Sequence, residues 1–292
     1  MTPLLLHVEV GGPRWLQWSL HPDALLLCLI LGYAYYYCIT ELRPKISDAG
    51  RVRRGQAALF YLGVITLYAG GGSPLHDIGE QYLLSAHMLE HLLFAMVAAP
   101  LLVAGTPAWL WQAILCGPRV LPVARVLTRP IVAFSTFNAL LVLTHLPRTM
   151  DFALASGPFH FSLHIVLILA SMLMWWPVLS PLPQLPRPAP PLQLTYLFLQ
   201  SILPAVIASF ITFADHAVYG VYADAPRLWN ISTIADQQIA GGGMKLIGSV
   251  IIWTFMTVIF FRWYAKEETE TQEPRWDDVQ QELEELGIGH RA

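Results

Sequence analysis

Seven runs of mainly apolar residues, bounded by Gly, Pro or charge, occupy approximately 24–41, 56–70, 82–104, 130–147, 160–180, 192–213 and 239–263. A helix needs roughly 20 such residues to cross a hydrocarbon slab about 30 Å thick, at about 1.5 Å per residue. A chain with this many runs cannot hide them in one soluble core. Composition agrees, since 55% of the 292 residues are hydrophobic and only 13% are charged. The expected fold is an all-α polytopic membrane bundle of about seven transmembrane helices. Residues 1–263 would form the seven-helix transmembrane domain and 264–292 a polar cytoplasmic tail. The run at 56–70 is short, and PAWLWQAILC at 107–116 is too short to cross, so it reads as an interfacial segment rich in Trp. No internal repeat is evident.

Lys and Arg in the short loops set the expected orientation. Arg43, Lys45, Arg51, Arg53 and Arg54 follow the first run, and Arg119, Arg125 and Arg129 follow the third, which assigns both loops to the cytoplasm. The alternate loops, carrying His76, Asp77 and Glu80, then Arg148 and Asp151, then Asp215, Asp224, Arg227 and Asp236, are poorer in basic residues and should face outward. The N-terminus is then outside and the C-terminus cytoplasmic. The proline-rich PLPQLPRPAPPLQ reads as a stiff, extended connector on the inner side. In the tail, EPRWDDVQQELEEL forms a short helix opened by Pro274, within a solvated segment.

Other classes are excluded early. A net charge of −3 offers no basic surface for nucleic acid. The N-terminal MTPLLLHVEVGGPRW has no basic n-region and no small-residue cleavage site, so no signal peptide is expected. Cys28, Cys38 and Cys116 lack metal or redox spacing, and the first two would lie about 15 Å apart along one helix, beyond disulfide reach.

Laid on this topology, nine of the ten histidines fall toward the outer side, only His290 lying inside. His7 and His21 sit in the N-terminal segment, and His76 and His216 in outer loops. His87 and His91 open the third run, His145 ends the fourth, and His160 and His164 open the fifth. Residues four apart project about 40° from one another on one helix face, from which two imidazoles can chelate one ion. His87 with His91 and His160 with His164 both have that spacing, and with His145 they are the candidate metal ligands. Interhelical hydrogen bonding is the competing reading for the pairs, and helix capping for His145.

Further candidates surround them. Glu90 lies near the face of His87, and an ionisable residue inside a span is costly unless partnered or functional. Met88, Met150 and Met244 are near the same level, and thioether with imidazole suits copper, Cu(I) above all, although Met is also ordinary packing. ADQQIAGGGMK, at 235–245, mixes polar groups with three glycines that permit close approach. Asp236, Gln237 and Gln238 could orient a ligating histidine, or Asp236 could simply cap its own helix. Trp175, Trp176 and Pro177 read as an aromatic interface belt. HMLEH at 87–91 also fits H-x-x-E-H, a short zinc-peptidase pattern with many chance matches.

Four segments together resemble the CtaG family of polytopic cytochrome c oxidase assembly factors: AHMLEHLLFAMVAAPLLVAGTP at 86–107, HLPRTMD at 145–151, MWWPVLSPLP at 174–183 and DQQIAGGGM at 236–244. The resemblance implies a non-enzymatic role in maturing a haem-copper oxidase, with copper as the metal handled. It implies oxidase subunits as partners, a periplasmic or extracellular copper chaperone as donor, and the bacterial cytoplasmic (inner) membrane as location. It carries over to His87, His91, His145 and Asp236; Glu90 departs from it, Gln being expected there in many members. Two other classes remain open at this level: a transmembrane b-type haem protein with His ligands from two helices, and an intramembrane zinc peptidase using Glu90 as base.

Overall fold

Proline stands in the first turn of most long helices of this chain, where its missing N–H costs nothing and its fixed φ favours the helix. The computed structural model describes residues 21–46, 50–271, 280 and 283–286, and every regular element among them is helical. In order these are α1 Pro22–Tyr37, α2 Arg54–Gly71, α3 Pro74–Gln81, α4 Leu84–Gly105, α5 Ala108–Leu115 and α6 Leu121–Leu127. There follow α7 Pro130–Thr144, α8 Pro147–Leu154, α9 Gly157–Leu179, α10 Pro190–Phe213, α11 Gly220–Ala223 and α12 Thr233–Thr271.

Five of these are long and apolar enough to cross a membrane: α1 with its continuation to Lys45, α4, α9, α10 and α12. Counting α2 with α3, bent by 40°, and α6 with α7, bent by 72°, as one span each brings the number to seven. All seven expected runs are therefore helical. The interfacial segment is α5, whose eight residues are too few to cross, and the proline-rich connector has no helix until Pro190. α12 continues past the expected end at 263, through the polar KEETET, to Thr271. Of the helix expected to begin at Pro274, Gln280 and residues 283–285 are helical, and its start, with His7 and His290, lies outside the described residues.

Helix α4 is the axis of the bundle, because 67% of its apolar stretch is buried, against 11% for α1 and for α12. The peripheral helices turn Leu29, Ile30, Leu246 and Val250 outward, as lipid contact requires. α4 is not regular throughout. Pro100 has no N–H to offer Met96 O and its ring crowds that carbonyl, and the helix widens over Leu93–Ala98 just before it. The Ala95 carbonyl in this wide turn accepts from Trp175 Nε1 at 2.8 Å.

That bond corrects the expectation for the two tryptophans. Trp175 is fully buried and Trp176 packs edge-on to Trp111 at 4.9 Å, so they are core residues rather than an interface belt. The reason is polar: an irregular turn inside the bundle needs a donor, and an indole supplies one on an apolar frame. Close approach does matter at Gly241. A Cβ there would meet Ala208 O at 2.6 Å and Thr212 N at 2.9 Å, so α12 seats on α10 only with Gly at this position. Gly242 and Gly243 face open space.

Candidate metal centre

The site begins at the N-terminus of α4, whose first N–H groups have no partner within the helix. Asp236, in the first turn of α12, supplies one from another span. Its Oδ2 accepts from Leu84 N at 2.7 Å, and its Oδ1 accepts from Ser85 N at 3.1 Å and from the Ser85 hydroxyl. A buried carboxylate on a helix N-terminus is favoured by both the hydrogen bonds and the helix dipole. Asp236 therefore caps α4 rather than its own helix, and it sets the height at which α4 presents His87 and His91. Gln237 ties the preceding loop down, accepting from Val218 N at 2.8 Å and donating to His216 O at 3.1 Å.

Helix α3 is drawn against the same point. Gly79 lies so close to α4 that a Cβ would meet His87 N at 2.9 Å, and its carbonyl accepts from Tyr222 Oη at 2.6 Å. This contact carries His76 and Glu80, on one face of α3, over the first turns of α4 and α9.

Four imidazoles meet there. His87 and His91 from α4 and His160 and His164 from α9 each offer one ring nitrogen such that all four atoms lie within 4.8 Å of one another. His91 Nε2 and His164 Nε2 are 3.2 Å apart. His87, His160 and His164 are buried, and His91 is partly so.

Two carboxylates stand behind the rings. Glu80 Oε1 accepts from His160 Nδ1 at 2.5 Å and lies 3.3 Å from His76 Nε2. Glu90, fully buried, accepts through Oε1 from His76 Nδ1 at 3.0 Å and lies 3.5 Å from His164 Nδ1. With Nδ1 directed at a carboxylate, the lone pair of His160 and of His164 is left on Nε2, facing inward. This is the arrangement that orients histidine ligands and makes them more basic at metal sites.

The arrangement fits an ion by a second test. Both nitrogens of His87, Nε2 of His160 and Oε2 of Glu90 are buried without a hydrogen-bond partner. Buried polar atoms are almost always paired, because an orphan costs about 1–3 kcal/mol. Unpartnered nitrogens on two of four convergent imidazoles, His87 and His160, fit donors that a cation would satisfy. Beside the group opens a cavity of about 430 Å³, lined by His21, His76, Asp77, Glu80, His160 and His164 among others, which gives it an acidic, histidine-bearing approach.

The remaining expected residues are placed as follows. His76 and Glu90 join the cluster as the pair behind His164. His145 stands apart from the four-imidazole group: its Nδ1 donates to Leu141 O at 2.8 Å, and it lines a neighbouring cavity together with His91, Met88 and Met244. His216 is exposed beside Asp215, at 2.8 Å, away from the cluster. Met150 is packed with Met88 among apolar side chains. Sequence reading passed over Glu80 as a loop charge; its signal was the four-residue spacing from His76 in a segment that turns out to be an amphipathic helix.

Residues 33–266 match the family model described as cytochrome c oxidase caa3 assembly factor (Caa3_CtaG). The matched segment contains the whole cluster from His76 to His164, and Asp236. No curated protein and no solved structure matches the chain.

Proposed function

The chain belongs to the family of cytochrome c oxidase caa3 assembly factors, and from that premise we propose that it binds copper at its four-histidine site as cargo for the oxidase. The observation that carries this reading is His87, buried as one of four convergent imidazoles with neither nitrogen bonded. Imidazole binds copper more strongly than other divalent first-row metals, and a haem-copper oxidase is the client that needs it.

The protein's own groups do the following. Glu80 and Glu90 hold His160 and His164 with Nε2 inward and supply negative charge against a cation in a low-dielectric place. His76 bridges the two carboxylates, and Glu80, about a third exposed, connects them to the open cavity through which a cation arrives and displaced protons leave. Asp236 and Gly79 fix the heights of α4 and α3, so the ligands are positioned before the ion comes.

We place the histidine end outward and the basic loops at the cytoplasmic face of a bacterial inner membrane, on the charge bias between loops. A periplasmic or extracellular chaperone would then be the copper donor. No bond-making step is needed, and the role is that of a chaperone rather than an enzyme. A peptidase would need Glu90 beside a metal-bound water, whereas its Oε1 is engaged behind His164 by His76. Haem takes an axial ligand from each side of a plane, while four nitrogens gathered on one point suit a compact ion.

The test is metal analysis of the purified full-length chain, with oxidase activity and oxidase copper content in a deletion strain. Copper bound by the wild type and reduced in His87→Ala and His164→Ala supports the reading. An oxidase fully active and copper-loaded without this protein would overturn it.

A further inference from the structure

The four-imidazole group leaves one buried histidine unexplained. His145, 8% exposed, directs Nδ1 to Leu141 O, so its Nε2 carries the lone pair, and that atom is buried with no partner. It lines a cavity of about 60 Å³ together with Met88, Met96 and His91 of α4 and Met244 of α12. This is room for an ion with its ligands or for a few waters.

The donors differ in kind from those of the first site. Three thioethers and two imidazoles are soft and neutral, whereas the four-histidine group is backed by Glu80 and Glu90. No carboxylate lines the cavity, and its single charged residue, Lys245, is a cation whose Nζ lies 3.5 Å from Ser209 Oγ. A divalent ion would find no counter-charge there. A monovalent soft ion needs little, and sulfur with imidazole is the donor set that selects it. His91 belongs to both places: it is one of the four clustered imidazoles and part of this lining.

We propose that this cavity is a second metal site, a thioether–imidazole site for Cu(I) built from His145, Met88 and Met244 and reached from the four-histidine site through His91. The proposal rests on copper being the metal of the first site. Transfer is ligand exchange at one oxidation state: His91 is kept, histidine nitrogens are released and sulfur is gained, with no electron moved. The unpaired Nε2 of His145 is then the fixed point of the second site, as His87 is of the first.

The experiment is anaerobic titration of the full-length protein with Cu(I) against a chromophoric chelator, followed by X-ray absorption of the loaded protein. The expected result is two Cu(I) per chain with sulfur among the copper neighbours. Met88→Leu with Met244→Leu, which roughly conserves volume, should remove one equivalent and most of the sulfur signal. His145→Ala should do the same to stoichiometry, while His87→Ala with His160→Ala should keep a sulfur-bound equivalent. A wild-type spectrum with nitrogen neighbours only, or Met variants indistinguishable from wild type, would overturn the second site and leave the first standing. No Cu(I) bound by the wild type would remove both. If the Met variants do not fold, the sulfur signal of the wild type decides alone.

Discussion

His91 Nε2 and His164 Nε2 approach to 3.2 Å across the interface between α4 and α9. Two nitrogens sharing one tetrahedral ion, with bonds of about 2.0 Å, stand about 3.3 Å apart. The separation therefore suits either a proton shared between the rings or a common ion, and His164 Nδ1, 3.5 Å from Glu90, favours leaving its Nε2 as a lone pair.

His87→Leu separates stability from function. Its two nitrogens are buried and unpaired, so an apolar replacement of similar volume removes a desolvation cost of about 1–3 kcal/mol instead of a bond. Thermal unfolding of the metal-free protein should be unchanged or shifted upward, while copper bound through the four-histidine group is lost. A metal-free variant that melts well below wild type would argue that His87 holds the bundle together instead.

Glu90→Gln keeps the shape and removes the charge behind His164 and His76. Loss of such a supporting carboxylate weakens metal affinity by about 10- to 100-fold. Chelator competition should show that loss, and excess copper should restore oxidase assembly in cells carrying the variant. Assembly that stays absent at any copper level would return Glu90 to a catalytic role.

Asp236→Ala leaves two N–H groups of α4 and the Ser85 hydroxyl without their acceptor. Hydrogen bonds to a buried charge contribute about 1.5–3 kcal/mol each, and Asp236→Asn should retain part of that. The expected order of unfolding midpoint in detergent is wild type, then Asn, then Ala. Copper affinity should fall in the same order, since α4 loses its set height. Equal midpoints for all three proteins would contradict the cap.

Acidification should empty the site. A ligating imidazole must be neutral, so protons compete with copper for the ligand nitrogens and affinity drops as pH falls. Equilibrium copper binding between pH 5.5 and 8 on the order of half-unit steps measures this. A profile that stays flat down to the pH at which the protein unfolds would mean that histidine nitrogens do not bind the ion.

Trp175→Phe removes the indole N–H from Ala95 O while keeping an aromatic ring in the core. The orphaned carbonyl in the wide turn of α4 should cost about 1–3 kcal/mol, read as a lower unfolding midpoint with copper stoichiometry intact. A variant as stable as wild type would show that the turn needs no donor.

Much of this was legible in the chain itself, for physical reasons. Lipid demands long apolar helices, so the seven runs and the short α5 could be read from hydropathy and length. Spacing along a helix is also local information. His87 with His91 and His160 with His164 could be assigned to the first turns of two spans, and the four do meet.

What the chain could not say is how each helix is rotated and what lies across from it. Height along a span follows from sequence position, but the direction a side chain faces depends on packing against partners far away in sequence. His145 has the right height and faces a different cavity from the four-histidine group. Asp236 looked like a cap for its own helix and caps α4, about 150 residues earlier, because the two helix starts meet only in the folded bundle. Glu80 became part of the site only when Gly79 let α3 close on α4. Apolar patterning thus determined which segments are helices and at which end the histidines gather; tertiary packing decided which nitrogens converge and which carboxylates stand behind them, since azimuth and partner are properties of contacts.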